Sequence, residues 1–217
     1  MNSTSSLADI RNEYTRQELD FDKTAADPFS QFRQWFDEAL QSKVPEPNAM
    51  HLCTVSANGR PSGRIVLLKG METQGFVFYT NYESRKGKEM AQNTWVSLTF
   101  FWPELERQVR IEGKVTLTSA AQSDEYYHSR PKGSQLGAWA SPQSQVIPTR
   151  AILEENLTSL EEKFKAMPEI PRPPHWGGYC VLPDAIEFWQ GRQSRLHDRI
   201  NYVKQPDGSW HKQRLAP

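Results

Sequence analysis

The segment Ile186–Arg199 reads Ile-Glu-Phe-Trp-Gln-Gly-Arg-Gln-Ser-Arg-Leu-His-Asp-Arg and concentrates the reactive side chains of the sequence. Arg195, His197 and Arg199 alternate with Leu196 and Asp198, so an extended chain would put the three basic groups on one side. Gly191 reads as a bend between two strands. Such a face suits an anion or an electron-rich ring. The ordinary alternative is a solvated strand face balanced by Asp198 and Glu187. Three more basic clusters lie upstream: Arg64 with Lys69, Arg85 with Lys86, and His128 with Arg130 and Lys132. Hydroxyl groups accompany them at Thr80, Ser84, Ser134 and Ser144, and Tyr126 precedes the third cluster. Arg makes planar, two-pronged contacts to phosphate, whereas Lys offers a point charge. The sequence has neither Gly-x-Gly-x-x-Gly nor a Walker loop, so side chains and strand ends would have to hold any phosphate. Four clusters in a chain of zero net charge suggest two separate phosphate sites.

Other chemistries find less support. The five histidines are scattered without metal-ligand spacing, and no metal site is expected. Cys53 and Cys180 fit neither a disulfide framework nor a zinc site and read as reduced, partly buried thiols. No Gly-x-Ser-x-Gly elbow is present. The 26 basic and 26 acidic residues cancel, which argues against a nucleic-acid or anionic-lipid partner. No apolar run approaches the ~18 residues of a membrane span, and the N-terminus lacks signal or transit character. A cytoplasmic protein is expected. Apolar residues make up 37% of the 217 and the mean hydropathy is −0.72, so part of the apolar surface is expected to be shared with a second subunit.

The elements that must position these groups follow from periodicity. A short helix is expected around Leu7 to Glu18, with Arg11 and Tyr14 on one face. Asp27 and Pro28 cap a second helix with an apolar stripe of Phe29, Phe32, Phe36, Ala39 and Leu40, ended by Val44–Pro47. From Ala49 the period changes to two. Strands are expected over Met50–Val55 and Gly63–Lys69, turning at Asn58-Gly59, and over Gly75–Thr80. Ser84 caps a basic helix, Arg85–Gln92. Two strands, Trp95–Trp102 and Glu106–Thr118, meet at Pro103. In the second, Val109, Ile111, Val115 and Leu117 face one way and Gln108, Arg110, Glu112 and Lys114 the other. Ala120–Arg130 reads as a helix, followed by a Gly/Ser/Pro-rich passage to Pro148. A helix from Thr149 to about Lys165 carries Ile152, Leu153, Leu157, Leu160 and Phe164. A proline-rich linker then leads to Trp176-Gly-Gly-Tyr and three final strands, the last two turning at Asp207-Gly208. Many antiparallel strands with a few helices favour a mainly β (α+β) fold, a closed or split barrel with peripheral helices.

The pattern Ile-Glu-Phe-Trp-Gln, four free positions, then Arg-Leu-His-Asp-Arg resembles the signature of the pyridoxine (pyridoxamine) 5'-phosphate oxidases. Further motifs recur in order: Arg11-x-Glu-Tyr14, Arg-Ile-Val-Leu-Leu-Lys69, Phe-Tyr-Thr-Asn81, Ser-Arg-Lys86, Glu-Arg-Gln108, Tyr-x-His-Ser-Arg-Pro131, Ser-Gln-Leu-Gly-Ala-Trp139, Gln-Ser144 and Arg-Leu-Ala-Pro217. The resemblance spans nearly the whole chain. It implies an FMN-binding split β-barrel homodimer, with residues 1–26 as a flexible arm or lid and 27–217 as one domain. Segment 175–217 would supply dimer and substrate contacts. Arg64, Ile65, Val66, Leu67, Leu68, Lys69, Tyr79, Thr80, Arg85, Lys86 and Gln108 would line the flavin from one subunit, and Gln143, Ser144, Trp189 and Arg199 would complete the site, partly across the subunit interface. Lys69, Tyr126, Arg130 and Ser134 would grip a substrate phosphate. Arg195 and His197 would hold the pyridine ring as catalytic groups, with Arg11 and Tyr14 as a lid. The implied reaction oxidises pyridoxine or pyridoxamine 5'-phosphate to pyridoxal 5'-phosphate, with O2 as acceptor and H2O2 as product. Two alternatives stand beside it: a split-barrel FMN oxidoreductase with another substrate, and a pyridoxal phosphate carrier without turnover. Gly133 and Glu46 depart from the family pattern, which would alter loop geometry or lid contacts and keep the activity.

Overall fold

The computed structural model describes residues 6–7, 13–72 and 75–217. Among them are five α-helices and nine strands: α1 Pro28–Gln41, β1 Ala49–Val55, β2 Pro61–Leu67, β3 Gly70–Glu72, β4 Gly75–Asn81, α2 Arg85–Gln92, β5 Trp95–Trp102, β6 Arg107–Leu117, α3 Ala120–Ser129, α4 Lys132–Ala140, α5 Ala151–Lys163, β7 Trp176–Gln190, β8 Asp198–Lys204 and β9 Trp210–Leu215. The strands pair in the order β2-β1-β5-β6-β7-β4-β3, with β8 on β7 and β9 on β8. The fifteen-residue β7 serves two partners. Its first half pairs antiparallel with β4 (Asn81 opposite Trp176) and its second with β8 (Trp189 opposite Arg199).

Local chemistry accounts for most boundaries. The Asp27 carboxylate accepts the Ser30 N–H at 2.7 Å, and Pro28 occupies the first turn, where its missing N–H costs nothing. The Ser84 hydroxyl accepts the Gly87 N–H and starts α2. Gly59 takes φ +81° in the β1–β2 turn, a conformation most side chains resist.

The chain divides into two compact units: Met1–Pro47, Thr99–Ile111 and Asp184–Pro217 in one, Asn48–Leu98 and Glu112–Pro183 in the other. Aromatic rings meeting edge to face fill the first, with Phe32 on Phe100 and Trp35 on Phe188. Arg107 is buried beside them, its guanidinium 4.3 Å from the Trp35 ring centre, donating to Gln190, Glu38 and Gln17. In the second unit Tyr127, Leu136, Phe164, Ile170 and Trp176 form one buried cluster.

Several expectations are corrected. Glu13–Glu18 is not helical, and Arg11 lies outside the described residues. The Arg16 backbone N–H is taken by the Glu106 carboxylate, which displaces a helical hydrogen bond, and just past the expected helix the Leu19 N–H goes to Asp198. The passage expected to be loop contains α4, held by buried Leu136 and Ala140. The return strand is β2, ending at Leu67, and a short β3 follows it. In α1 the core position falls to Trp35, while Leu40 is 53% exposed; in β6 Leu117 is 57% exposed. Residues 195–199 are not a continuous strand. A 3-10 turn covers Gln193–Arg195, with φ +54° at Ser194 and +63° at Arg195, and β8 begins only at Asp198. The proposed one-sided basic face therefore does not exist.

Candidate functional site

A cavity of about 390 Å³ opens in the second unit. β2 supplies Arg64, Ile65, Val66 and Leu67, and the link after it supplies Lys69. β4 adds Tyr79 and Thr80, α2 adds Lys86, and α3 with its C-terminal cap adds Tyr126 and Arg130. Gln143 and Trp176 complete the wall. Four cations and no carboxylate line this space.

Each cation is held differently. The Arg64 guanidinium is anchored from behind. One terminal nitrogen donates to the Leu52 carbonyl and the Thr54 hydroxyl, the other to the Ser62 hydroxyl at 2.7 Å and more distantly to Glu89. Glu89 is buried and also accepts from Thr54, Ser62 and Arg85. Burial alone would raise its pKa, but these donors bring it down to about 2. The Lys86 ammonium donates to neutral oxygens, those of Thr80 (3.1 Å), Ser84 (3.2 Å) and Gln143 (2.7 Å). Its burial, with Arg64 adding repulsion, lowers its pKa to about 8. Arg130 lies over the Trp176 ring at 4.6 Å, and burial lowers its pKa too. Arg130 Nη1 is buried without a hydrogen-bond partner. Buried donors are ordinarily satisfied, so these cations fit a bound anion such as a phosphate.

Of the groups expected at a flavin or phosphate site, the cavity gathers Arg64, Ile65, Val66, Leu67, Lys69, Tyr79, Thr80, Lys86, Tyr126, Arg130 and Gln143. Leu68 is buried away from the wall, and Arg85 is exposed with its Nε on Glu89. Ser134 and Ser144 are exposed off the wall, Ser144 at φ +71°. Gly133 faces open space, where a side chain would meet nothing, and Glu46 takes φ +45° on the surface. Trp176 and the Glu89 anchor were not expected. The Arg85–Glu89 spacing of four could have signalled the anchor, whereas nothing in spacing singles out Trp176.

The first unit holds the remaining groups. Tyr14, Trp189 and His197 form an aromatic cluster, with the Trp189 and His197 ring centres 4.6 Å apart. His197 Nδ1 accepts the Arg192 N–H at 3.1 Å, so in the neutral ring the proton is on Nε2. Burial, helped by Arg195 and opposed by Asp198, lowers the His197 pKa. Arg195 is exposed, on the turn with positive φ. Arg199 forks onto Glu187 at 3.0 and 2.9 Å, and Gln108 is half-buried on β6. Tyr14, Arg192, Ser194 and Leu196 border a further cavity of about 560 Å³. Among the described residues no cluster of His, Cys, Asp and Glu could hold a metal ion, and no helix is long and apolar enough to cross a membrane.

Comparison with known proteins concerns the chain as a whole. The family model described as pyridoxamine 5'-phosphate oxidase matches residues 36–164. The model described as pyridoxine 5'-phosphate oxidase C-terminal dimerisation region matches 176–217. The chain is 57% identical to the pyridoxine/pyridoxamine 5'-phosphate oxidase of Methylibium petroleiphilum, covering 97% of this chain and 98% of that one. It is 56% identical to the protein of the same name from Salinibacter ruber, covering 98% and 100%. Among solved structures, PhzG from Burkholderia lata 383, in complex with tetrahydrophenazine-1-carboxylic acid, matches with a TM-score of 0.87 at 27% identity, covering 95% of this chain and 100% of that one. A pyridoxamine 5'-phosphate oxidase-related, FMN-binding protein from Nostoc punctiforme shares the fold, with a TM-score of 0.69 at 20% identity over 86% and 97%. The expected mainly β split-barrel class with peripheral helices is thus the observed one, and the chain belongs to the pyridoxamine 5'-phosphate oxidase family.

Proposed function

We propose that the protein is an FMN-dependent oxidase, working as a homodimer, that converts pyridoxine 5'-phosphate and pyridoxamine 5'-phosphate to pyridoxal 5'-phosphate with O2 as acceptor and H2O2 as product. The observation that carries this reading is the cavity wall of four cations without a carboxylate, one of them with a buried, unpartnered donor. The full-length likeness to oxidases of that name supports the same substrate.

Lys86, Arg64, Arg85, Thr80 and Gln143 would hold the flavin phosphate. Residues 65–68, Tyr79, Gln108, Ser144, Trp189 and Arg199 would complete the flavin sites of the homodimer, partly across the subunit interface. Lys69, Tyr126, Arg130 and Ser134 would grip the substrate phosphate. FMN, when bound, supplies the hydride acceptor for the substrate's C4'. The chain's own work is alignment. A phosphate held remote from C4' fixes that carbon, and the binding is realised as orientation at the reacting centre. Arg195 offers a planar cation to the pyridine ring. His197, neutral with its proton on Nε2, is set to donate to a substrate atom; this favours holding the ring over removing its proton. Tyr14, packed on Trp189 and His197, would cover the ring, together with Arg11.

Oxygen uptake tests the substrate. Uptake is expected with pyridoxine 5'-phosphate and not with NADH; the reverse would favour a flavin oxidoreductase with another reductant. The PhzG likeness is the observation on that second side.

A further inference from the structure

Trp176 opens β7, and its ring has no place in the reading above, yet it borders the cavity while being only 7% exposed. Its backbone is fixed on both sides: Trp176 N–H donates to the Pro173 carbonyl at 3.1 Å, and its own carbonyl accepts from Arg172 at 2.5 Å. Arg172 is in turn paired with Asp124 on α3. The ring is near-parallel to those of Tyr79 and Tyr126, at 14° and 8°, and meets Tyr127 at 66°. It cannot readily turn.

Arg130 lies against this fixed ring, 4.6 Å from its centre, with the Tyr127 ring at 5.9 Å. No ion pair to Arg130 is found among the described residues, and its Nη1 is buried and unpartnered. A guanidinium without a carboxylate needs some other surface to fix its plane, and an aromatic face provides one without consuming a donor. A carboxylate there would fix the plane as well, but it would occupy the donors and repel a phosphate. We infer that Trp176 is a positioning residue for Arg130, holding its guanidinium by the ring face at the cavity wall so that donors not taken by the protein stay available to the substrate phosphate. The inference rests on the reading of Arg130 as part of the phosphate grip.

The test compares Trp176→Phe and Trp176→Leu with the parent as flavin-loaded enzymes, using pyridoxine 5'-phosphate. Loss of the ring face in Trp176→Leu is expected to raise KM roughly tenfold, the size of a desolvated cation–π contact, with kcat within about twofold. Trp176→Phe keeps a weaker face and should recover most of the loss. Fluorinated tryptophan incorporated throughout the chain drains the ring without changing its shape. It should raise KM in the parent and leave KM unmoved in Trp176→Phe, a readout that does not need Trp176→Leu to fold. An unchanged KM on fluorination, or Phe performing no better than Leu, would overturn the inference. Arg130→Ala separates the two levels. If it leaves KM unmoved, the phosphate-grip reading itself fails; if it raises KM while the Trp176 variants do not, only the positioning role fails.

Discussion

Arg130 and Lys86 face the same cavity with unequal supporting partners, so their substitution should have different signatures. Arg130 has an unpartnered donor, and its loss removes charged hydrogen bonds worth roughly 1.5–3 kcal/mol. Arg130→Ala should therefore raise KM for the phosphorylated substrate about ten- to a hundredfold, with a smaller effect on kcat. Steady-state kinetics would expose a wrong assignment as a KM that barely moves. Lys86 is held at about 8 by burial and by Arg64. The free site therefore loses this charge as pH rises through 8, whereas a bound phosphate would pull the pKa back up. Binding then takes up a proton above pH 8, and FMN affinity should fall as pH climbs from 8 to 9.5. Lys86→Arg should flatten that slope; a flat parent titration would remove Lys86 from the phosphate contact. At this scale the cavity residues were legible because their motifs are long and chemically specific. The shape of the 193–197 turn was not, since neither Ser194 nor Arg195 advertises a positive φ by its residue type.

The elements explain why composition misled in two places. α4 begins Lys-Gly-Ser-Gln-Leu-Gly, a poor helix by propensity, and exists because Leu136 and Ala140 find a core to enter. The stretch from Leu7 to Glu18 reads as helical, yet Glu106 captures its Arg16 N–H, and Asp198 the Leu19 N–H just beyond it, both from distant positions in sequence. No local pattern can report such partners. Where the partner is local, the reading held: Asp27 caps α1 as expected, and Asp27→Ala should lower stability by about 1 kcal/mol in urea unfolding. Gly87 within α2 gives a sharper contrast. Alanine normally strengthens a helix interior, but a methyl group here would come 2.1 Å from the Tyr82 carbonyl oxygen. Gly87→Ala should therefore destabilise by about 1–3 kcal/mol and weaken FMN retention through Lys86. A more stable variant would show that the contact relaxes freely.

For the whole molecule, the fold class was readable from the period-two strands and their turns, and strand order was not. β7 pairs with β4 and β8 over different halves, a long-range choice that alternation does not encode. Exposed apolar residues such as Ile65 and Leu196, at 65% and 69%, accord with a second subunit, as does the dimerisation region over 176–217. Sedimentation equilibrium should give twice the chain mass at micromolar concentration, and a stable monomer that remained active would remove the shared-site reading. The central claim is that this chain holds a phosphorylated pyridine against a flavin, and one spectrum addresses it. The purified protein, made anaerobic and mixed with pyridoxine 5'-phosphate, should lose its yellow flavin absorbance and regain it when oxygen is admitted. A flavin-loaded protein that stays yellow with that substrate would contradict the account.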